Sequence, residues 1–182
     1  MEEAFLIVGL GNPGKDYAAT RHNVGFMALD RLAKRLGIEW EASKKFTSHL
    51  AKGRQDGNTV FLSKPQGYMN LSGQSVAPLA QYYQIPSGRV MVVVDDLDLP
   101  LGAVRMRPGG GTGGHRGLDS IQGLLGKDDF PRLRLGIGRP ESNRDVSSFV
   151  LGKFAEAETE LLEKVLETGA DQLTCWILQG IG

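Results

Sequence analysis

Residues 5–10 form an unbroken apolar run that stops at Gly11-Asn12-Pro13-Gly14. This is the pattern of a strand buried on both faces and ending in a turn, so Asn12 falls just past a strand's carboxyl end. After Thr20, the apolar residues Val24, Met27, Leu29, Leu32, Ala33 and Leu36 recur at helical spacing and halt at Gly37. That spacing predicts a helix with Thr20 near its N-cap and His22 in its first turn. Residues 59–62 and 90–94 read as further strands with a helix over 72–83 between them, which puts Asn70 just before the helix and Asp95 just after the strand. Residues 109–114 read as a flexible glycine loop, followed by a short helix near 118–125 and a strand near 133–137. An amphipathic helix over 156–179 closes the chain, with Leu161, Leu162, Val165, Leu166, Leu173 and Trp176 expected on its core face.

Strands alternating with helices predict an α/β fold, a three-layer sandwich around a mostly parallel mixed sheet. The 182 residues suit one domain spanning 1–182, with no long linker and no internal repeat. Ligands of such sheets bind beyond the carboxyl ends of the strands, where Asn12 and Asp95 fall.

Charge changes the picture only locally. Lys plus Arg equal Asp plus Glu, so the molecule as a whole offers no attraction to nucleic acid. Residues 99–153, however, hold nine Lys or Arg against five acids, and residues 154–182 hold one Lys against six acids, which allows a basic face. The single cysteine, Cys175, excludes an internal disulfide and a thiolate metal cluster, and its apolar helical setting predicts a buried, inert thiol. Met1-Glu2-Glu3 lacks the basic start of a signal peptide, and no run approaches the roughly 20 apolar residues of a membrane span, so a cytoplasmic location is expected.

Several motifs fail on context. Gly9-Leu10-Gly11-Asn12-Pro13-Gly14 fits the dinucleotide fingerprint formally, yet Pro13 and Asp16-Tyr17 intervene before any helix, and Asp30 lies inside the helix rather than closing a second strand. The 109–114 loop has phosphate-loop spacing, but His115-Arg116 stands where Lys and Ser or Thr are required; a mobile flap that lies close to a long polar substrate is the alternative. Asp95, Asp96 and Asp98, with His22 and His115, leave three readings open: a hard-metal site, a carboxylate that orients a histidine, or solvation of a loop. His49, in a polar segment, reads as an exposed surface residue.

Gly67-Tyr68-Met69-Asn70-Leu71-Ser72-Gly73, Gly11-Asn12-Pro13-Gly14 with Thr20-Arg21-His22-Asn23, and Asp95-Asp96-Leu97-Asp98 are separated in the chain, yet together they supply the set that carbonyl hydrolysis needs. A base accepts a proton from water, a carboxylate orients the base, and neutral donors meet the oxyanion. From residue 6 to about 154 these motifs resemble the bacterial peptidyl-tRNA hydrolase family. The resemblance implies a fold related to purine nucleoside phosphorylases, no metal or other cofactor, and hydrolysis of the ester joining a peptide to the terminal ribose of tRNA.

By the same resemblance, His22 is the catalytic base, Asp95 holds its tautomer, and Asn12 and Asn70 bind the substrate main chain and position water or the scissile carbonyl. Tyr17 and Met69 line the cleft, and Arg107 and Arg134 contact tRNA phosphates. The partner implied is tRNA carrying a peptide, the protein acting as a monomer. One position departs: the family's Gly-His-Asn-Gly is here Gly114-His115-Arg116-Gly117. A guanidinium cannot accept a hydrogen bond, so the amide's role is not carried over, and Arg116 is taken as a binding residue for phosphate or carbonyl. Two competing functions are an RNA-binding relative that has lost catalysis and a metal-dependent phosphoesterase built on the aspartates.

Overall fold

The computed structural model describes residues 3–141 and 145–179; the ends of the expected 1–182 domain and residues 142–144 lie outside them. Four strands form a parallel centre: β1 (Ala4–Gly9), β4 (Asn58–Pro65), β5 (Val90–Asp96) and β7 (Arg132–Gly136). β1 pairs with β4 on one side and β5 on the other, and β5 pairs with β7. Phe5 to Val8 and Val90 to Val94 are buried to 8% exposure or less, as β-branched strands covered on both faces require. Antiparallel strands flank this centre: β2 (Glu41–Ser43) and β3 (Ser48–Gln55) beyond β4, and β6 (Val104–Arg107) beyond β7, giving the order β2-β3-β4-β1-β5-β7-β6. The sheet is mixed, as expected, but its strand pairings are three parallel and three antiparallel rather than mostly parallel.

Alternation along the central strands splits the core in two. Ile7, Leu62 and Val93 face α1 (Val24–Leu36) and α5 (Thr159–Gln179), while Leu6, Val8 and Val92 face α2 (Ser72–Tyr82) and α3 (Arg116–Leu125). Acidic residues of the final stretch engage α1, where Arg31 bonds Glu163 and Glu167 and Arg35 bonds Glu167 and Asp171, all at 2.7–2.8 Å. That pairing places the acid-rich segment on the side of the sheet opposite α2 and α3.

Several expectations change. Arg21–Asn23 is a separate 3-10 turn, and α1 starts only at Val24; Thr20 Oγ1 donates to the Tyr17 carbonyl instead of capping the helix. The final helix likewise opens with a 3-10 turn over Glu156–Glu158, and Leu161, expected in the core, is 43% exposed. Cys175 is exposed, not buried, with Sγ donating to Gln179 Oε1 at 3.6 Å, one turn away on the solvent side of α5. His49 is half-buried in β3 opposite Ala42; burial first, then the Lys64 ammonium, pushes its pKa down. Strands β2, β3 and β6 and the short α4 (Val146–Val150) are additions. β3 is polar along most of its length because it lies toward the sheet edge, although the Asp56-Gly57 turn, with φ of 53° and 85°, is a strong hairpin signal.

Gly25 sets how closely α1 approaches the sheet. A Cβ there meets the Val93 and Leu10 carbonyl oxygens at 2.6 and 2.7 Å, both backbone atoms that cannot rotate away. Gly25→Ala is therefore expected to destabilise the protein by about 1–3 kcal/mol, and to lower activity further by lifting the turn that precedes α1. Urea denaturation and a turnover assay on the same preparation check both effects.

Candidate active site

The carboxyl ends of β1 and β5 lie side by side, Leu10 N–H donating to the Val93 carbonyl at 3.0 Å. Asp95 is the penultimate residue of β5, inside the strand rather than just after it, and is buried, yet its carboxylate has two imidazole partners. His22 Nδ1 lies 2.8 Å from Oδ2, and His115 Nε2 lies 2.8 Å from Oδ1. The tautomer of His115 follows from its position as N-cap of α3. Its Nδ1 accepts the Gly117 and Leu118 N–H groups at 3.1 and 3.4 Å, so Nε2 carries the proton and donates to Asp95. Burial alone raises the Asp95 carboxyl, but the hydrogen bonds from His115 and His22 outweigh it and hold the group well below the usual carboxylate range. An ionised Asp95 makes Nδ1 of His22 the donor, so in the neutral ring Nε2 is the bare lone pair.

Asn12 is the second fixed point. Its backbone N–H donates to Asn23 Oδ1 at 2.9 Å and its carbonyl accepts from Asn23 Nδ2 at 2.8 Å, a reciprocal clamp that also settles the orientation of the Asn23 amide. Asn12 Oδ1 accepts the Met69 N–H at 2.8 Å, so the group it retains is the neutral donor Nδ2. Met69 is buried and opens the 3-10 turn Met69–Leu71 that carries exposed Asn70 into α2. Tyr17 is half-buried and sets its ring edge-on to exposed Tyr68, centroids 6.3 Å apart. Gly117 lets α3 approach, since a Cβ there lies 2.5 Å from Leu10 and 2.8 Å from the Met69 sulfur.

The expected arginines lie on the β7–β6 side. In the β6–β7 register Arg105 faces Arg134 and Arg107 faces Arg132, so four guanidiniums share one face. Like charges directly opposite one another repel unless an anion or a carbonyl intervenes. Arg132 is fully buried and satisfied by the Phe130, Gly111 and Asp128 carbonyls; burial first, then Arg134, lowers its pKa against the pull of Asp128. Arg134 reaches the Gly111 carbonyl at 3.3 Å and Asp96 at 4.0 Å, while Arg107 is exposed. Arg116 opens α3 and is exposed.

Of the aspartates, only Asp95 points at histidine. Asp96 accepts the Asp98 N–H, and Asp98 pairs with Arg139. Donor atoms of His22, Asp95 and His115 lie within 4.8 Å of one another, close enough for one cation. Each is already engaged in the hydrogen bonds above, and a cation would have to displace the protons on both imidazoles. Sequence reasoning weighed His115 only as a metal donor and missed it as a partner of Asp95. Asn23 and Arg105 were missed as well; a histidine directly before a helix and an asparagine directly after His22 were the available signals.

The peptidyl-tRNA hydrolase family model matches residues 6–182. A peptidyl-tRNA hydrolase of Mycobacterium avium is 46% identical over 181 residues, covering 100% of this chain and 95% of its own. The crystal structure of peptidyl-tRNA hydrolase from Acinetobacter baumannii superposes with a TM-score of 0.91 at 41% identity, covering 99% of this chain and 91% of that one. A 5'-methylthioadenosine/S-adenosylhomocysteine nucleosidase of Helicobacter pylori, 11% identical over 97% of this chain and 98% of that one, reaches 0.59, which is a likeness of fold alone. With the family model running from β1 through α5, and with close relatives matched over nearly their whole length, this chain belongs to the peptidyl-tRNA hydrolase family.

Proposed function

We propose that the protein hydrolyses the ester between peptide and tRNA in peptidyl-tRNA, freeing tRNA during translation. One observation carries the mechanism: the 2.8 Å bond from His22 Nδ1 to Asp95, which leaves Nε2 as the base. Water gives a proton to His22 Nε2 as its oxygen bonds to the ester carbonyl carbon. Asn12 Nδ2 and the Asn70 amide stabilise the oxyanion and hold the substrate's main chain. The tetrahedral centre then collapses, the carbon–oxygen bond to the ribose breaks, and the ribose oxygen takes the proton from His22. Asp95 stays ionised and stabilises the imidazolium, and His115 keeps the carboxylate oriented by a permanent donor. Tyr17 and Met69 line the cleft, and no metal takes part.

Arg107 and Arg134, joined by Arg105, take tRNA phosphates, and Arg116 is proposed as a further contact. Affinity for tRNA then falls as salt rises, and Arg134→Ala is expected to reduce the slope of log K against log salt by about 1. A slope equal to that of the parent rules Arg134 out as a phosphate ligand. We also propose a single domain, relation of the fold to purine nucleoside phosphorylases, a monomer, and a cytoplasmic setting. The single continuous sheet supports the first and the nucleosidase likeness the second. Among the described residues no helix is long and apolar enough to cross a membrane, as the last requires.

The test of the reaction is the state of the tRNA product. Cleavage of N-acetylaminoacyl-tRNA at the ester yields tRNA that can be aminoacylated again, with the N-acetyl amino acid as the only other product. Binding without release, or nicked tRNA, rejects the reading in favour of an RNA binder or a phosphoesterase.

A further inference from the structure

The turn that carries His22 is fastened by both of its neighbours. A 3-10 helix has 3.0 residues per turn, so three successive side chains leave it about 120° apart, and Arg21, His22 and Asn23 each address a different part of the molecule. His22 bonds Asp95 at the end of β5, and Asn23 clamps Asn12 after β1. Arg21 turns to α4 and the segment that follows it, more than a hundred residues away in the chain. Its Nη1 donates to the Phe149 carbonyl at 3.2 Å and its Nη2 to Glu158 Oε1 at 3.0 Å. The guanidinium lies 4.2 Å from the Phe149 ring centroid and 5.8 Å from that of Phe154, with only 13% of the side chain exposed.

The backbone follows the same path. Arg21 N–H donates to the Gly152 carbonyl at 2.9 Å, and Thr20 forms an isolated antiparallel bridge with Lys153. Glu158 Oε1 also accepts the Ala155 N–H at 2.7 Å, which fixes the acceptor before Arg21 reaches it. At Gly152 a Cβ meets Arg21 Nη1 at 2.9 Å, so the glycine leaves room for the fork.

We infer that Arg21 is a positioning residue for His22, holding the catalytic turn at the rotation that aims Nε2 at the ester by riveting it to residues 149–158. The inference rests on the proposed role of His22 as the base. A planar fork that donates to two separate acceptors while stacked on an aromatic face has no equivalent in lysine, whose three donors radiate from a single nitrogen with no flat face to stack.

The experiment measures kcat and KM for N-acetylaminoacyl-tRNA in the parent, Arg21→Lys, Glu158→Gln, their double variant and His22→Ala, at a temperature well below each Tm. A misplacement of about 1 Å costs on the order of 10²-fold in rate, so Arg21→Lys is expected to lower kcat about 10- to 100-fold while KM stays within about twofold. Glu158→Gln keeps an acceptor for Ala155 but loses the charge, and is expected to lower kcat by a few-fold. The double variant should be no slower than Arg21→Lys alone, because both changes release the same rivet. A purely structural role moves Tm and leaves kcat of the folded enzyme at the parent value, and that result overturns the inference. Should Arg21→Lys not fold, an unchanged kcat in Glu158→Gln overturns it equally. If His22→Ala turns over like the parent, the reading of the site fails instead, so the two failures are separable.

Discussion

Asp95→Asn is expected to lower kcat by about 10²- to 10⁴-fold, the range that a positioned general base contributes, while leaving tRNA affinity near the parent value. The reason is the supply of acceptors. In the parent, two carboxylate oxygens accept from two imidazoles at 2.8 Å each. An asparagine offers one oxygen and one N–H₂ group, so only one histidine can still donate. His115 is committed, because its Nδ1 accepts from the α3 backbone and its Nε2 must donate. The amide N–H₂ then faces His22 Nδ1 and drives the ring to the tautomer that carries its proton on Nε2, which is no base. Steady-state kinetics beside a tRNA-binding isotherm check the outcome; a kcat within threefold of the parent contradicts it.

Asp95→Asn also makes a claim about stability and pH. The folded carboxyl titrates below its ordinary 3.8. Its stabilisation is therefore fully present above the unfolded value and is lost as pH falls through the lower folded value. Urea midpoints of the parent should decline on acidification below about pH 4, and that part of the decline should be missing from Asp95→Asn. Identical pH profiles for the two proteins count against the depressed carboxyl.

His22→Ala is the second large effect. Removing the imidazole deletes the proton acceptor but leaves Asn12 held by Asn23 and Met69 and leaves the arginine face in place. Turnover should fall about 10²- to 10⁴-fold, with the residual rate over water coming from the amide donors. The alanine leaves Asp95 with one imidazole partner, so a modest loss of stability accompanies the loss of rate.

The central strands were legible because each is a short, wholly apolar run bounded by turn residues, and the carboxyl ends of residues 5–10 and 90–94 led directly to Asn12 and Asp95. The outer strands were not, since β3 is mostly polar and β6 reads Val-Arg-Met-Arg, an alternation of only four residues whose Val104 and Met106 face the core cluster shared with α5. The 3-10 turn before α1 was hidden for a different reason: its geometry is imposed by three tertiary anchors on residues 21–23, and local propensity carries no trace of them. Leu161 and Cys175 lie outside the buried stripe because α5 presents Val165, Leu166, Leu173 and Trp176 to the sheet, and a helical pattern with apolar residues on more than one face does not reveal which face wins. The pairing of His22 with Asp95 was expected from the resemblance rather than from spacing. The tautomer lock by His115 required the position of α3, which the glycine loop before it obscured.

The most direct measurement is release of N-acetyl amino acid from N-acetylaminoacyl-tRNA by the intact protein and by His22→Ala, each with and without EDTA. The account predicts cleavage by the intact protein at the same rate in chelator and buffer, and almost none by His22→Ala in either. Equal cleavage by the two proteins, or loss of the parent's activity in EDTA, contradicts a histidine-activated water as the centre of the reaction.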